Sequence, residues 1–320
     1  MPPSGGRNRL IAMDAKTETP VVAAASPHTL ANRVIGMGCA LLAVSIWGAW
    51  IVSTRHAVHG HLPPFTVGWL RFVVPAVVLA PWWIKVGPWP KRALWPFLVC
   101  FLGSGGIFFF IVGNAMRFVP AADVGPLLPG TMPLIVALVS FFFLGEKLGR
   151  LRWIGFACIA VGVFTLGGRG LLDPEDGAWR GHLLLLTGAA MWAGYVLAFR
   201  RTGMSAPELT GLVGLWSFIL FTPLGVPGVV EAINAGYGHE VLIQLFIQGI
   251  GSGVVALVVF GVAIQRLGSS RAAAFTGLVP ALAAAIAIPM LGEHPDAAAI
   301  IGVVATGIGV ALASGAFRRG

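Results

Sequence analysis

Charge is what this 320-residue sequence has little of: Asp, Glu, Lys and Arg together make up 10% of it. A soluble domain carries about 25% charged residues, so the polar surface that would keep a chain of this length dispersed in water is missing. Acidic residues are the scarcer kind, 12 against 21 basic ones. The basic residues nevertheless form no aromatic-interleaved face that could track a nucleic acid. Cysteine is scarce too. Cys39, Cys100 and Cys158 form no Cys-x-x-Cys pair, which excludes a zinc ribbon, a dithiol redox centre and a disulfide framework. No Gly-Lys-Ser/Thr phosphate loop occurs, so the chain offers no site for ATP-driven work.

Histidine is thinly spread. His28, His182, His239 and His294 fall in the tail, in loops or at the edges of apolar blocks. His56, His59 and His61 read as part of a solvated outer loop, since metal binding needs a closed site and a further ligand. No nucleophile and base converge at one depth, which weighs against an intramembrane enzyme acting on lipids. No cofactor and no metal are implied.

What the sequence does have is apolar length. Hydrophobic residues make up 57% of the chain and the mean hydropathy is +0.87. They fall in blocks of about 20 residues, the length that crosses a bilayer as a helix. Ten spans are predicted, at 34–54, 65–84, 94–116, 122–144, 151–167, 182–200, 208–231, 241–264, 272–291 and 297–316. Residues 1–32, rich in Pro, Ala, Ser and Thr, are expected to form a disordered cytoplasmic tail, with Met1 or Met13 as the start. Most Lys and Arg gather on one side of these spans, among them Arg33, Lys85, Lys91, Lys147, Arg150, Arg200, Arg201, Arg266 and Arg318. Arg55, Arg117, Arg169 and Arg180 fall on the other. The positive-inside rule then places both termini in the cytoplasm and makes the span count even.

The chain also repeats itself. Gly103, Ser104, Gly105, Gly113 and Ala115 align with Gly251, Ser252, Gly253, Gly261 and Ala263. After one dropped residue, Pro133, Gly145, Glu146, Gly155 and Gly162 align with Pro280, Gly292, Glu293, Gly302 and Gly309, and Trp47 aligns with Trp192. Two repeats follow, 33–168 and 182–316, joined by an outer linker at 169–181. An odd number of helices in each repeat inverts the second half in the membrane. Inverted repeats are a recurring transporter architecture, with substrate sites where the repeats meet. The expected fold class is therefore an all-α integral membrane protein of ten transmembrane helices, arranged as two inverted five-helix repeats.

Three groups of residues carry a family resemblance: Ser45, Ile46, Trp47 and Gly48; Arg71 and Phe72; and the doubled pattern Pro133 with Leu144, Gly145 and Glu146, against Pro280 with Leu291, Gly292 and Glu293. Across nearly all of 34–316 the sequence resembles the EamA family of the drug/metabolite transporter superfamily. The resemblance implies ten helices, two repeats, a central pathway, and movement of amino acids, other metabolites or toxic compounds, commonly outward. It makes the expected function that of a secondary carrier or facilitator for a small organic metabolite such as an amino acid, with export favoured, in a bacterial inner membrane. Its partners would be that solute and the lipid bilayer. The rival readings are a proton-coupled multidrug efflux pump, an intramembrane lipid-acting enzyme and a channel.

Candidate pathway residues are those too polar or too aromatic for plain lipid contact. Arg71 lies well inside the second span, where a charge marks a polar pathway by default; it could clamp a carboxylate, snorkel outward or serve a structural partner. Trp47, Trp192 and Trp216 fall near mid-helix, with Tyr195 close to Trp192 on one face; they suit a pocket or a packed core. Asn114, Gln244 and Gln248 should face the interior, as pathway lining or as interhelical hydrogen bonds. Pro133 and Pro280 are helix-kink candidates. Gly145, Glu146, Gly292 and Glu293 form the repeated structural motif. The first span, Val34 to Thr54, has no carboxylate, unlike the resembling helix of small multidrug-resistance transporters. Glu146 and Glu293 are expected to close helix turns rather than to carry protons.

Overall fold

The computed structural model describes residues 30–91, 93–144, 149–172, 177–292 and 294–313, and these are helical with short connections throughout. In chain order the helical segments are α1 (Leu30–His59), α2 (Pro64–Val78, then Ala80–Val86), α3 (Leu94–Ser104, then Gly106–Ala115), α4 (Ala121–Gly125, Pro126–Gly130 and Met132–Leu144) and α5 (Arg150–Leu172). The second series is α6 (Ala178–Ala198), α7 (Ala206–Asn234), α8 (Gly238–Gln244, Leu245–Ala256 and Leu257–Leu267), α9 (Ser269–Phe275, Thr276–Leu278 and Val279–Leu291) and α10 (Ala297–Ala313). Among the described residues, seven helices are long and apolar enough to cross a membrane, or eight if the bent pair in α2 is one span. Large apolar side chains such as Phe142, Phe164, Phe246 and Ile300 stand exposed on the outside. Water would not tolerate such a surface, whereas lipid solvates it.

Several helices depart from straight rods, each for an identifiable reason. α1 runs past its expected end at 54 as far as His59, so His56 and His59 lie on the helix and not in a loop. Arg55, one turn before His59, donates to the Met116 carbonyl and ties this extension to the end of α3. α2, expected as one rod over 65–84, bends by 74° after Val78. Pro81 follows the break, and its ring, which lacks an N–H, cannot continue the preceding helix. α3 breaks at Gly105, which is extended, and Ser217 of α7 accepts a hydrogen bond from the Gly106 N–H at 2.9 Å. The matching glycines of α8 produce no break; they lie in the π-helical stretch Leu245–Ala256.

Helix ends follow sequence signals. Ser205 and Glu208 form a capping box at the start of α7, with the Ser205 N–H donating to Glu208 at 2.7 Å. Asp296 accepts from the Ala299 N–H at 2.8 Å at the start of α10. Gly292 ends α9 in the left-handed region, φ 65°, where a Cβ is strained. Of the repeated Leu-Gly-Glu motif, Gly145, Glu146 and Glu293 lie outside the described residues.

The helices pack by the repeat. α2 lies along α7, α4 along α9 and α5 along α10, so each packs against its own equivalent in the other half. α1 sits against α8 and α9, as α6 sits against α3 and α4. One core therefore serves both halves. Small residues allow the closest approaches. A Cβ on Gly155 would meet the Gly309 carbonyl at 2.5 Å, and one on Gly309 would meet the Gly155 carbonyl at the same distance. A Cβ on Gly103 would meet the Met191 carbonyl of α6 at 2.2 Å, and one on Gly253 the Arg71 carbonyl of α2 at 2.4 Å. In lipid, where apolar burial drives no helix association, such backbone proximity supplies much of the packing.

Candidate functional site

Where the halves meet, α1, α2, α3, α4, α6 and α9 line a small cavity of about 30 Å³. α1 gives it Trp47, Trp50 and Ile51, spaced to share one helix face. Arg71 comes from α2, Phe108 from the segment after the Gly105 break, and Trp192 from α6. The irregular stretches of α4 and α9 supply Leu128, Pro129, Met132, Thr276 and Val279. Trp47 and Trp192 are equivalent positions of the repeat, as are Pro129 and Thr276, and Met132 and Val279. The two halves thus contribute matching positions to one space. Trp47 and Trp192 meet edge to face there, with ring centroids 5.0 Å apart.

Irregular helix geometry at this depth is tolerated where protein or a cavity takes over the freed backbone groups. Thr131 donates its hydroxyl to the Pro126 carbonyl at 3.1 Å, and Thr276 bridges to the Pro129 carbonyl at 2.9 Å, tying the 3-10 stretch of α9 to the π-helical stretch of α4. Pro133 and Pro280 occupy the second position of Met132–Leu144 and Val279–Leu291, where a missing N–H costs nothing. They follow directly on the π-helical stretch of α4 and the 3-10 stretch of α9. Pro280 packs against Gly125, whose added Cβ would meet its Cα at 2.5 Å.

Among the described residues Arg71 is the one charged residue on the cavity wall, and it is 1% exposed. It does not snorkel. One guanidinium nitrogen donates to the Ser252 hydroxyl of α8. The guanidinium carbon lies 5.1 Å from the Trp50 ring centroid, 5.7 Å from Phe109 and 5.8 Å from Phe72. Beside it, a buried polar strip joins α1 to α8. The Ser53 hydroxyl donates to Gln244 Oε1 at 3.1 Å, and Gln248 Nε2 lies 2.9 Å from Thr54 Oγ1 and 3.1 Å from Gln244 Oε1. Gln244 and Gln248 therefore act between helices, Gln248 one turn from the serine that holds Arg71.

The remaining sequence candidates are dispersed. Tyr195 is buried behind Trp192, its ring centroid 5.5 Å away, and is outside the cavity lining. Asn114 donates back to the Phe110 carbonyl of its own helix at 2.8 Å. Trp216 donates to the Pro88 carbonyl at 2.9 Å and packs on Trp89, at an edge of the bundle. His61 stacks on Tyr237 and reaches Glu240 at 3.1 Å. Sequence reasoning missed Trp50, Ser252, Thr276 and Pro129. Trp50 was signalled by its spacing from Trp47, and Ser252 by its place in the repeated Gly-Ser-Gly element. It also missed a buried pair, in which His182 Nε2 of α6 lies 3.1 Å from Asp123 Oδ2 of α4.

The profile of the EamA-like transporter family matches this sequence twice, over residues 34–168 and 179–315. The chain belongs to that family. Among its relatives, an uncharacterized Bacillus subtilis transporter, YoaV, is 24% identical over 280 residues, covering 86% of this chain and 94% of its own. A Salmonella typhimurium protein named as a probable amino-acid metabolite efflux pump is 26% identical over 283 residues, covering 83% of this chain and 90% of its own. A solved crystal structure 22% identical in sequence superposes with a TM-score of 0.61, over 89% of this chain and 97% of that one. The fold is thus that of a known protein, and the EamA membership makes this a multi-pass membrane transporter.

Proposed function

We propose that this transporter is a secondary carrier of the bacterial inner membrane, which exports a small organic metabolite through the cavity between its two repeats. It crosses the membrane ten times, as two inverted five-helix repeats with both termini in the cytoplasm. The observation that carries this reading is the lining of one cavity by equivalent positions of both halves, Trp47 with Trp192, Pro129 with Thr276 and Met132 with Val279. A site built on a pseudo-twofold relation can open to either side at similar energy, which a carrier needs and a receptor or lipid-modifying enzyme does not. The π-helical stretch of α4 and the 3-10 stretch of α9 at the cavity are the elements placed to move. Relatives named as efflux pumps support the outward direction.

The test is exchange. Purified protein in liposomes loaded with a bacterial metabolite extract should release a restricted set of solutes by saturable counterflow, read by mass spectrometry. Leu128→Trp, which fills the cavity, should reach the membrane and abolish that exchange. Unsaturable flux with unitary ion currents would replace the carrier by a pore.

A further inference from the structure

We propose that the central cavity selects acceptor-only anions: a carboxylate on an apolar or aromatic body, without a free ammonium group. This inference rests on the cavity being the substrate site, and it names the chemistry that the site demands.

The unsatisfied side-chain groups of the lining residues are of one kind. Arg71 Nε, Trp47 Nε1 and Trp50 Nε1 are buried with no hydrogen-bond partner, and all three residues line the space. Each is a donor and none can accept. Their residues are 5% exposed or less, so these N–H groups are beyond the reach of bulk solvent. Leaving a buried donor unmade costs about 1–3 kcal/mol, and more when it is charged. A ligand that accepts from these donors is therefore favoured over one that brings donors of its own.

The charge is equally one-sided. Among the described residues no Asp or Glu lines the cavity. Among the described residues no carboxylate lies within 4.0 Å of Arg71. Its one polar side-chain contact is the neutral Ser252 hydroxyl, and the rings of Trp50, Phe72 and Phe109 offer only a weak quadrupolar counterweight. A monoanion completes this site, because a planar carboxylate matches the guanidinium fork. An ammonium meets a like charge and no counter-charge in a space of low dielectric. Thr276, the one hydroxyl in the lining, has its proton committed to the Pro129 or Ala273 carbonyl. Phe108, Leu128, Met132 and Trp192 give the lining apolar surface for the body of the ligand.

Four probes of one size separate the possibilities: phenylpropanoate, phenylalanine, phenylethylamine and phenylpropanol. Binding to the purified full-length protein is read by ligand-dependent thermal stabilisation, and exchange by counterflow in liposomes. Phenylpropanoate should bind tightest, with phenylalanine and phenylpropanol weaker by about 10- to 100-fold, the worth of one charge-assisted hydrogen bond. Phenylethylamine should not bind. Arg71→Gln should remove the preference for the acid over the alcohol. Because Arg71→Gln can also fail to fold, Trp47→Phe and Trp50→Phe supply a milder test, keeping the ring and removing one N–H. Each should weaken phenylpropanoate by about 3- to 10-fold, and phenylpropanol less. Equal or tighter binding of phenylalanine or phenylethylamine overturns the proposal, as does binding of none of the four. Acid binding that depends on Arg71, without counterflow, leaves the ligand class standing and overturns the carrier reading. Saturable counterflow of cations or zwitterions alone does the reverse.

Discussion

Arg71 shows how neighbours decide what a buried polar residue does. Its position inside a span was visible in the sequence, but the residue that holds it, Ser252, belongs to the other half of the chain. The same holds for Gln244, whose two hydrogen bonds to α1 run to the Ser53 hydroxyl and carbonyl. Gln244→Leu removes both and leaves Ser53 to bond elsewhere. The expected loss is about 0.6–1.7 kcal/mol, the range for interhelical bonds in membranes, read as a lower unfolding midpoint in detergent with the carboxylate preference intact. The buried Asp123 and His182 pair makes a sharper case. Asp123→Ala takes from His182 Nε2 its partner, while Nδ1 of the same ring already has none. Stability should fall by about 1–3 kcal/mol, whereas His182→Phe with Asp123→Leu together should recover much of it. A double variant no more stable than Asp123→Ala would show that the pair is not an isolated interaction.

Among the helices, spacing between backbones decides the outcome. α5 and α10 meet at Gly155 and Gly309, where each carbonyl occupies the place the other's side chain would take. Gly309→Leu cannot be accommodated without moving α10 off α5, so the variant should accumulate in the membrane several-fold less than the parent, measured by fluorescence-detected chromatography. Gly307, which has open space beside it, is the control: Gly307→Leu should accumulate normally. At the end of α9, Gly292→Ala forces a Cβ into the left-handed region and should cost about 1 kcal/mol, without altering transport per folded molecule. The prolines divide by position. Pro75, inside α2, denies the Arg71 carbonyl its helical donor, and Gly253 of α8 packs on that carbonyl. Pro133 and Pro280, in first turns, break nothing.

For the whole molecule, packing of α2 on α7, α4 on α9 and α5 on α10 means that neither half has a core of its own. Expressed as separate chains divided in the 173–176 segment, each half should be degraded, and co-expression should restore both in the membrane at near-equal amounts. Accumulation of one half alone, monodisperse, would show that the repeats are independent domains. Cysteine accessibility should read Lys91 and Arg201 inside, and Arg180 and His239 outside; agreement at only one end would break the ten-span, inverted arrangement. The sequence by itself determined the helical class, the membrane as solvent, the doubling and most helix limits. These follow from apolar length, basic residues at the ends and matched Gly and Pro positions, all of which act locally along the chain. Gly-Ser-Gly shows where local reading stops: the same three residues break α3 at Gly105, beside the Ser217 hydroxyl, yet leave α8 a continuous π-helix against α2. Only the tertiary structure put Trp47, Arg71 and Trp192 on one cavity and turned Asn114, Tyr195 and Trp216 away from it. The physical reason is that a helix in lipid has few polar faces to fix its rotation. Which side chains look inward is decided by the close contacts of glycine-bearing surfaces from both halves, and those exist only once the two repeats have come together.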